Sequence, residues 1–374
     1  MKVVVNCWAL RNKQLDGIGY FTVNTISRII ENHPEVTFLI LCDTKFNENY
    51  FDFKNVRLIK IFPPYRHPFL YLFYMEIVVP LYLKKQKPDL FLSMDGFLSL
   101  SSSCVQIPVI YDINFEHNPQ DLPFRNRIYF SKFFKRFAKK GKRIVTISNY
   151  SKLDIASFYK INENKIDNVS CGIDSKFIPL DEINKISIRN KWSEGKEYFF
   201  FIGSMHPRKN IKRLIEAFNL FKENTNSNFK LLLGGSILWS KTEIEAIYTN
   251  SQFKNDIVFT GRLSDADLND ILGAAYALSF APIFEGFGLP IVEAMQVEVP
   301  VICSNVTSMP EVAGDAAILF NPFEVEEIAK AMQMIYSDKQ LRNQLIISGK
   351  KQKLKFTWEN TAALLWESII KAIN

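Results

Sequence analysis

The segment 274–296 constrains the fold most, because it joins a buried strand to a helix through a short glycine-rich turn. Residues 274–280 are nearly all apolar, which predicts a buried strand. Pro290 predicts the start of a helix, since proline is favoured at the first helical position. Gly286 and Gly288 have no Cβ and let a ligand approach the backbone. A helix that begins here offers free N–H groups and a positive dipole end to an anion such as phosphate.

Two carboxylates flank this turn. Glu285 lies in the turn, and we expect Glu293 in the first helical turn. An ionised carboxylate accepts two hydrogen bonds side by side, which suits the vicinal hydroxyls of a sugar or a ribose. The alternative is structural, because acidic residues near a helix start also complement its dipole. The segment therefore predicts a site for sugar, phosphate and ribose, with a helix cap as the competing interpretation.

The order strand, glycine loop, helix occurs twice more. Strand Lys2–Cys7 precedes the loop 16–20, which contains Gly17 and Gly19, and a helix over 21–30. Strand 198–203 precedes the loop 203–210 and a helix over 211–221. Arg208 and Lys209 stand at this second helix entrance, where they suit phosphate oxygens or form a solvated basic turn. Repeated alternation of strands and helices predicts parallel, doubly wound α/β sheets.

The motifs together resemble one family. Glu285-Gly-Phe-Gly-Leu-Pro, the second Glu eight residues later, and segments 300–305 and 309–322 are similar to those of group 1, GT4-like, retaining glycosyltransferases. The resemblance extends over most of the chain. It implies the GT-B fold, with two facing Rossmann-like domains, and a nucleotide-diphosphate sugar as co-substrate with no metal or other cofactor.

The resemblance also implies roles for individual residues. Lys209 and Arg208 would neutralise the leaving diphosphate, with Arg208 replacing an arginine that the family often has at the position of Ser204. Glu285 and the backbone of 287–289 would hold the donor sugar, and Glu293 the ribose. The remaining residues of the donor-binding set are Gly17, Gly19, Gly203, Gly261, Arg262, Gly286, Phe287, Gly288 and Leu289.

The first half departs from the family at one position. Tyr111-Asp112 stands where many members have His-Asp close to the reacting sugar, so the role of that histidine is not transferred. The acceptor proton goes either to the leaving phosphate or to Asp112. His117 serves the acceptor side or is a loop histidine without a role.

The chain length of 374 residues predicts two domains. The expected boundaries are 1–178 for an acceptor-side domain and 179–357 for a donor-binding domain, with a closing helix 358–374 crossing back to the first. Five widely spaced cysteines, without a C-x-x-C pair, indicate reduced thiols in a cytoplasmic protein. The first residues resemble a strand and not a signal peptide.

For two segments, contact with a membrane is the alternative to a purely structural interpretation. Residues 68–83 are strongly apolar but too short to span a bilayer, so we expect a core or interdomain helix, with insertion into a membrane surface as the alternative. Lys132–Arg143 contains seven basic residues of twelve. It predicts a helix with a buried Phe133/Phe137 stripe and a solvated basic face, or one that contacts an anionic bilayer or a lipid diphosphate. The net charge of +7 fits anionic ligands, and no nucleic-acid-binding motif is present.

The predicted function is transfer of a sugar from a nucleotide-diphosphate donor to an acceptor hydroxyl with retention of configuration. The acceptor is expected to be a glycan or lipid-linked glycan of bacterial-type surface polysaccharide assembly, the common setting of the family. The enzyme would be cytoplasmic or peripheral at the inner face of the cell membrane. The alternatives are a phosphorylase or epimerase of the same fold, or a catalytically weak subunit that binds the donor.

Overall fold

The computed structural model describes residues 1–7, 10, 15–42, 46–60, 68–236 and 241–374. The chain divides into two compact units. The first unit comprises Met1–Gly172 and Thr357–Asn374, and the second comprises Ile173–Phe356. The boundary predicted from the sequence lies after residue 178. No helix in the described part of the chain has the length and hydrophobicity of a transmembrane span.

Five parallel strands form the sheet of the first unit, in the order β3-β2-β1-β4-β5. Their apolar runs are buried in the three inner strands, as expected for parallel strands covered on both faces. A parallel pair, β6 and β7, follows. These strands are β1 Lys2–Asn6, β2 Thr37–Cys42, β3 Val56–Lys60, β4 Leu90–Ser93, β5 Gln106–Pro108, β6 Ile144–Thr146 and β7 Ile166–Asn168.

The helices of the first unit include a π-helical turn, Tyr74–Val78, which joins α2 to α3. The helices are α1 Gly17–Asn32, α2 Pro68–Phe73, α3 Val79–Gln86, α4 Asn114–His117, α5 Phe124–Lys140, α6 Asn149–Tyr159 and the closing α15 Trp358–Ile373. Helix α15 belongs to the first unit and contacts α1. One core cluster contains the inward residues of α2, α3 and α5 together with Val4, Leu39 and Phe91 of the sheet.

Helix α1 corrects one expectation. The sequence predicts Gly17 and Gly19 in a loop before a helix over 21–30, but both glycines lie in the first turn of α1. The cause is Asp16, whose carboxylate accepts a hydrogen bond of 2.9 Å from the backbone N of Gly19 and caps the helix. Neither glycine has a positive φ, so the turn does not require glycine for its backbone angles.

The second unit contains six parallel strands in the order β10-β9-β8-β11-β12-β13. The strands are β8 Tyr198–Ile202, β9 Lys230–Gly234, β10 Ile257–Gly261, β11 Ala277–Phe280, β12 Val301–Ser304 and β13 Ala317–Phe320. Strand β11 is shorter than the predicted 274–280, because Ala274 ends the preceding helix. Both units therefore have the predicted parallel, doubly wound α/β architecture.

Helices connect the strands of the second unit. They are α7 Glu182–Ser193, α8 Ile211–Thr225, α9 Lys241–Asn250, α10 Asp265–Ala274, α11 Leu289–Gln296, α12 Met309–Ala313, α13 Val325–Ser337 and α14 Lys339–Gln352. The helix predicted to begin near Pro290 is α11, and Pro290 lies in its first turn. The strands of both sheets are parallel, so their carboxyl ends meet at one edge of each sheet, where ligands of such folds bind.

Four glycines hold the carboxyl ends of β8, β9 and β10 together. The backbone N of Gly203 donates to Gly234 O at 3.0 Å, and the N of Gly235 donates to Gly261 O at 2.8 Å. A Cβ on Gly235 would lie 1.9 Å from Gly203 O, and the φ of Gly235 is +128°. Only glycine permits this approach of two backbones.

Gly235→Ala should destabilise the second unit more than Gly261→Ala. Both positions have a positive φ, which costs an L-residue roughly 1–3 kcal/mol. A Cβ on Gly261 meets no atom within 4 Å, whereas one on Gly235 collides with a carbonyl oxygen. Overpacking adds about 1–3 kcal/mol. Chemical denaturation of the two variants measures this difference, and equal losses of stability would contradict the backbone-contact explanation.

Candidate active site in the second unit

Lys209 and Glu285 lie where the strand order of the second unit reverses. Lys209 follows β8 and Glu285 follows β11, and these two strands are direct neighbours. From β8 the sheet continues to β9 and β10, and from β11 it continues to β12 and β13. Such a reversal opens a crevice at the carboxyl ends of the two central strands. The fold thus brings together two residues that are 76 positions apart.

A buried ion cluster connects these two loops. The Lys209 ammonium forms an ion pair with Glu285 Oε1, and Arg208 Nη1 lies 3.0 Å from the same oxygen. Arg208 Nη1 also donates to Phe284 O at 2.9 Å. Lys209 is 7% and Glu285 8% exposed. Burial opposes ionisation of Glu285, but the charges of Lys209 and Arg208 outweigh it and lower its pKa below the usual value.

The cluster has an excess of positive charge, since two cations face one carboxylate. Helix α11 begins at Leu289, directly after this turn, and Gly288 takes a φ of +99° to start it. The first N–H groups of a helix have no partner within the helix, and its dipole is positive at this end. The cations and the helix start together provide a favourable position for an anionic ligand such as a diphosphate.

Two hydroxyl residues that were not among the predicted site residues hold the turn in place. Thr307 Oγ1 accepts from the backbone N of Glu285 at 3.3 Å. Ser308 Oγ is within hydrogen-bonding distance of Glu285 O and Phe287 O, at 3.0 and 2.9 Å. Thr307 has a φ of +56°, an unusual value for a β-branched residue. The sequence signal was a Thr-Ser pair just before α12, but hydroxyls there are expected to cap that helix.

Glu293 lies in the second turn of α11, as its fifth residue, and not in the first turn as predicted. The cause is that the helix already begins at Leu289. Among the described residues, none donates a hydrogen bond to the Glu293 carboxylate or forms an ion pair with it. Burial raises its pKa to about 7, and nearby Lys176 only partly offsets this effect. This half-buried carboxylate is available to accept hydrogen bonds from a ligand.

Three other residues predicted to bind the donor lie at the carboxyl edge of the same sheet. Gly203 lies beside the ammonium of the cluster, since a Cβ there would be 3.6 Å from Lys209 Nζ. Gly261 ends β10, Arg262 follows it, and both are exposed. These positions agree with a ligand site along this edge but define no contact.

The remaining candidates belong to the first unit. Asp112 is half-buried, and its Oδ1 accepts from the backbone N of Asn114 at 2.9 Å. Tyr111 donates its hydroxyl hydrogen to Met94 O at 2.9 Å, and burial raises its pKa well above the ordinary value. His117 is the last residue of α4 and not a loop histidine, and it lies 2.9 Å from the carboxylate of Asp154, which gives it a structural partner. Tyr111 thus remains protonated at neutral pH and does not replace a basic histidine.

Comparison with known proteins identifies the family. The family described as "Glycosyl transferases group 1" matches residues 182–352, and "Glycosyltransferase Family 4" matches residues 15–177. The O-antigen chain mannosyltransferase B of Escherichia coli is 30% identical over 68% of this chain and 67% of its own length. This chain belongs to the group 1, GT4-like glycosyltransferase family. The enzyme is therefore a glycosyltransferase, as predicted from the sequence.

Two further proteins are similar to this glycosyltransferase. The serotype-specific mannosyltransferase WbdA of E. coli is 28% identical over 72% of the chain, although the match spans only 33% of WbdA. Anabaena HepE in complex with UDP-glucose has a TM-score of 0.77 at 14% identity, covering 99% of this chain and 100% of HepE. The structural likeness establishes the GT-B fold.

Lys209→Met should lower sugar-transfer turnover about a hundredfold or more, since one preorganised charge at a developing anion contributes about 3–4 kcal/mol. Glu285 keeps Arg208 as a partner in this variant, so the fold should persist. Initial transfer rates and a melting curve measure both effects. Lys212→Met is the matched control, because Lys212 is exposed in the first turn of α8. Near-normal turnover of Lys209→Met would exclude Lys209 from the reaction.

Proposed function

We propose that this glycosyltransferase transfers a hexose, with mannose as the first candidate, from a nucleoside-diphosphate sugar to a hydroxyl of a glycan or lipid-linked glycan. The observation that carries the proposal is the buried Lys209–Glu285–Arg208 cluster at the strand reversal beside the start of α11. In the reaction, the bond between the sugar C1 and the phosphate oxygen breaks and a bond to the acceptor oxygen forms. The acceptor proton leaves with the phosphate or passes to a side chain.

Charge determines the roles that we propose for the cluster. Lys209 and Arg208, together with the N–H groups at the start of α11, offset the charge that develops on the leaving diphosphate, so that no metal or other cofactor is required. Glu285, fixed by both cations, accepts hydrogen bonds from hydroxyls of the donor sugar. Glu293, which has no partner among the described residues, accepts from the ribose hydroxyls. The family resemblance adds retention of the anomeric configuration.

The choice of mannose and the biological setting are supported by the relatives. The E. coli proteins are named as mannosyltransferases, one of them for the O-antigen chain. HepE binds UDP-glucose, so a donor panel should contain uridine as well as guanosine nucleotide sugars. We propose surface-polysaccharide assembly on the cytoplasmic side of the membrane as the setting.

Incubation with GDP-mannose, GDP-glucose, UDP-glucose and UDP-galactose, using octyl α-mannoside as the acceptor, tests the function. We expect transfer from one nucleotide sugar, with the α-anomeric configuration of the donor retained in the product by proton NMR. Phosphate-dependent release of a sugar phosphate would indicate a phosphorylase. Binding of a nucleotide sugar without turnover would indicate a donor-binding subunit. A product of inverted configuration would contradict retention.

A membrane contact of the first unit is the further partner that we propose. Three apolar side chains on one face of the helical segment α2–α3 are exposed. They recur every four residues and are Phe73, Ile77 and Leu81, with exposed fractions of 43, 47 and 64%. Met75 and Val79 are buried against the core on the other face. Lys84 and Lys85 continue the exposed face by one turn, which gives an apolar stripe that ends in positive charge.

Helix α5 has the same arrangement. Phe124 and Ile128 are exposed near its start, followed by exposed Lys132 and Arg136. The helix contains seven basic and no acidic residues. Helices α2 and α5 contact each other and cover the same face of the sheet, so their outward residues lie on one side of the first unit. Apolar side chains among basic ones match an anionic bilayer, which attracts each Lys or Arg by about 1 kcal/mol.

The triple variant Phe73→Ser, Ile77→Ser, Leu81→Ser should lose binding to vesicles of phosphatidylglycerol and phosphatidylcholine, as measured by co-sedimentation. The parent protein should bind these vesicles, release them at high salt and ignore pure phosphatidylcholine. Ile183→Ser, Ile186→Ser is the matched control, because these residues are 81 and 55% exposed on α7 of the second unit. Equal binding by the triple variant, or no binding by the parent, would refute the contact.

A further inference from the structure

The first unit has its own strand reversal, and a polar cluster occupies it. From β1 the sheet continues to β2 and β3, whereas β4 and β5 lie on the other side. Asn6 ends β1, Ser93 ends β4, and the two residues are opposite each other in the sheet. Asp95 is the second residue after β4. By the same rule that places Lys209 and Glu285, this position is where a sheet of this order binds a ligand.

Hydrogen bonds from Asn6 and Ser93 fix the orientation of the Asp95 carboxylate. Asn6 Nδ2 lies 2.9 and 3.0 Å from its two oxygens, and Ser93 Oγ donates to Oδ1 at 2.7 Å. No Lys, Arg or His among the described residues forms an ion pair with Asp95. Asn6 is 1% exposed, and its Oδ1 has no hydrogen-bond partner among the described residues. A buried amide oxygen without a partner is costly, and at a ligand site the ligand supplies the missing donor.

The turn around Asp95 is held rigidly. Tyr111 donates its hydroxyl hydrogen to Met94 O at 2.9 Å, and the backbone N of Met94 donates to Asn6 O at 3.2 Å. Gly96 has a φ of +82°, and a Cβ there would lie 3.1 Å from the ring of Phe134. A site is effective when other contacts fix its side chains in advance. Tyr111, which stands at the position of the family histidine, therefore acts here as a positioning residue.

We propose that Asp95 and Asn6 form the acceptor-sugar site, in which the carboxylate and the free amide oxygen accept hydrogen bonds from two hydroxyl groups of the acceptor glycan. Both groups present acceptors, and no cation among the described residues pairs with the carboxylate, so a ligand that supplies donors fits them, as a sugar diol does. The inference rests on the proposed function, since it assigns the second substrate of that reaction. Burial raises the pKa of Asp95 to about 6, against the opposing effect of its hydrogen bonds from Ser93 and Asn6.

Three titratable groups of the described residues interact electrostatically with Asp95, and none of them changes charge near this pH. Cys7 and Tyr111, and Tyr129 of α5, all have pKa values raised by burial, so they stay neutral. Above about pH 6 Asp95 is ionised and accepts hydrogen bonds, and below this pH it becomes protonated and loses part of that capacity. At saturating donor, kcat/KM for the acceptor should therefore fall as the pH decreases through about 6.

Asp95→Asn is the decisive variant. A rotation of the Asn6 amide would let its free Oδ1 accept from the new amide, so the variant should fold. Removing a carboxylate whose folded-state pKa is raised relieves a destabilising charge at neutral pH, so the melting temperature should not fall. The acceptor kcat/KM should drop about tenfold to hundredfold, the value for a hydrogen bond to a charged group. Its acid limb should disappear, while affinity for the nucleotide sugar stays unchanged.

Asp89→Asn is the matched control. Asp89 lies at the opposite, amino end of β4, is exposed and accepts from the backbone N of Lys2 at 2.7 Å. The Asp89→Asn variant should keep the acceptor kcat/KM and the pH profile of the parent enzyme. An Asp95→Asn enzyme with the acceptor kcat/KM or the acid limb of the parent would overturn the assignment, because a structural role of Asp95 would not produce the acid limb.

Calorimetric titration with octyl α-mannoside separates this inference from the proposed function. Binding that is lost in Asp95→Asn and weakened below about pH 6 supports the site even if no nucleotide sugar is turned over. Transfer activity that does not depend on Asp95 would leave the proposed function intact and overturn the site. Equal binding of the mannoside by parent and variant, or no binding by the parent, would also overturn it.

Discussion

The ion cluster of Lys209, Glu285 and Arg208 depends on the order in which the strands of the second unit are joined. Because β8 and β11 are neighbours and the chain leaves them in opposite directions, their following loops separate and leave room at the sheet edge. A buried lysine or glutamate alone would be strongly unfavourable. The opposite charges of Lys209 and Glu285 stabilise each other. Thr307 and Ser308 contact the backbone of Glu285 and keep the pair aligned.

Three carboxylates at the two sheet edges differ in protonation because their surroundings differ. Glu285 has two cations beside it and its pKa is lowered, whereas burial dominates at Glu293 and Asp95 and raises theirs to about 7 and about 6. The cations keep Glu285 ionised, as its proposed role of accepting hydrogen bonds from the donor sugar requires. No cation among the described residues forms an ion pair with Glu293 or Asp95, and carboxylates with pKa values raised in this way cluster at functional sites.

The sequence predicted the parts of this arrangement that depend on local pattern. Strand–turn–helix order, Pro290 and the basic pair Arg208-Lys209 indicated the doubly wound fold and the loops at its carboxyl edges. It could not predict that Asp16 would extend α1 over Gly17 and Gly19, because a cap and a loop residue look alike without coordinates. Asn6 and Asp95 escaped notice because they are 89 positions apart and carry no motif. Only the pairing of β1 with β4 makes them a cluster.

Tyr111 shows why the replacement of a single family residue does not imply loss of activity. A histidine at this position could exchange a proton near neutral pH. The tyrosine cannot, since its pKa is raised well above the ordinary value, and its hydroxyl is already committed to Met94 O. That same bond, however, fixes the turn that carries Asp95, a group that titrates near pH 6. The group that titrates near pH 6 at this edge of the first unit is therefore Asp95, which follows β4. Tyr111 supports Asp95 through its hydrogen bond to the backbone of Met94.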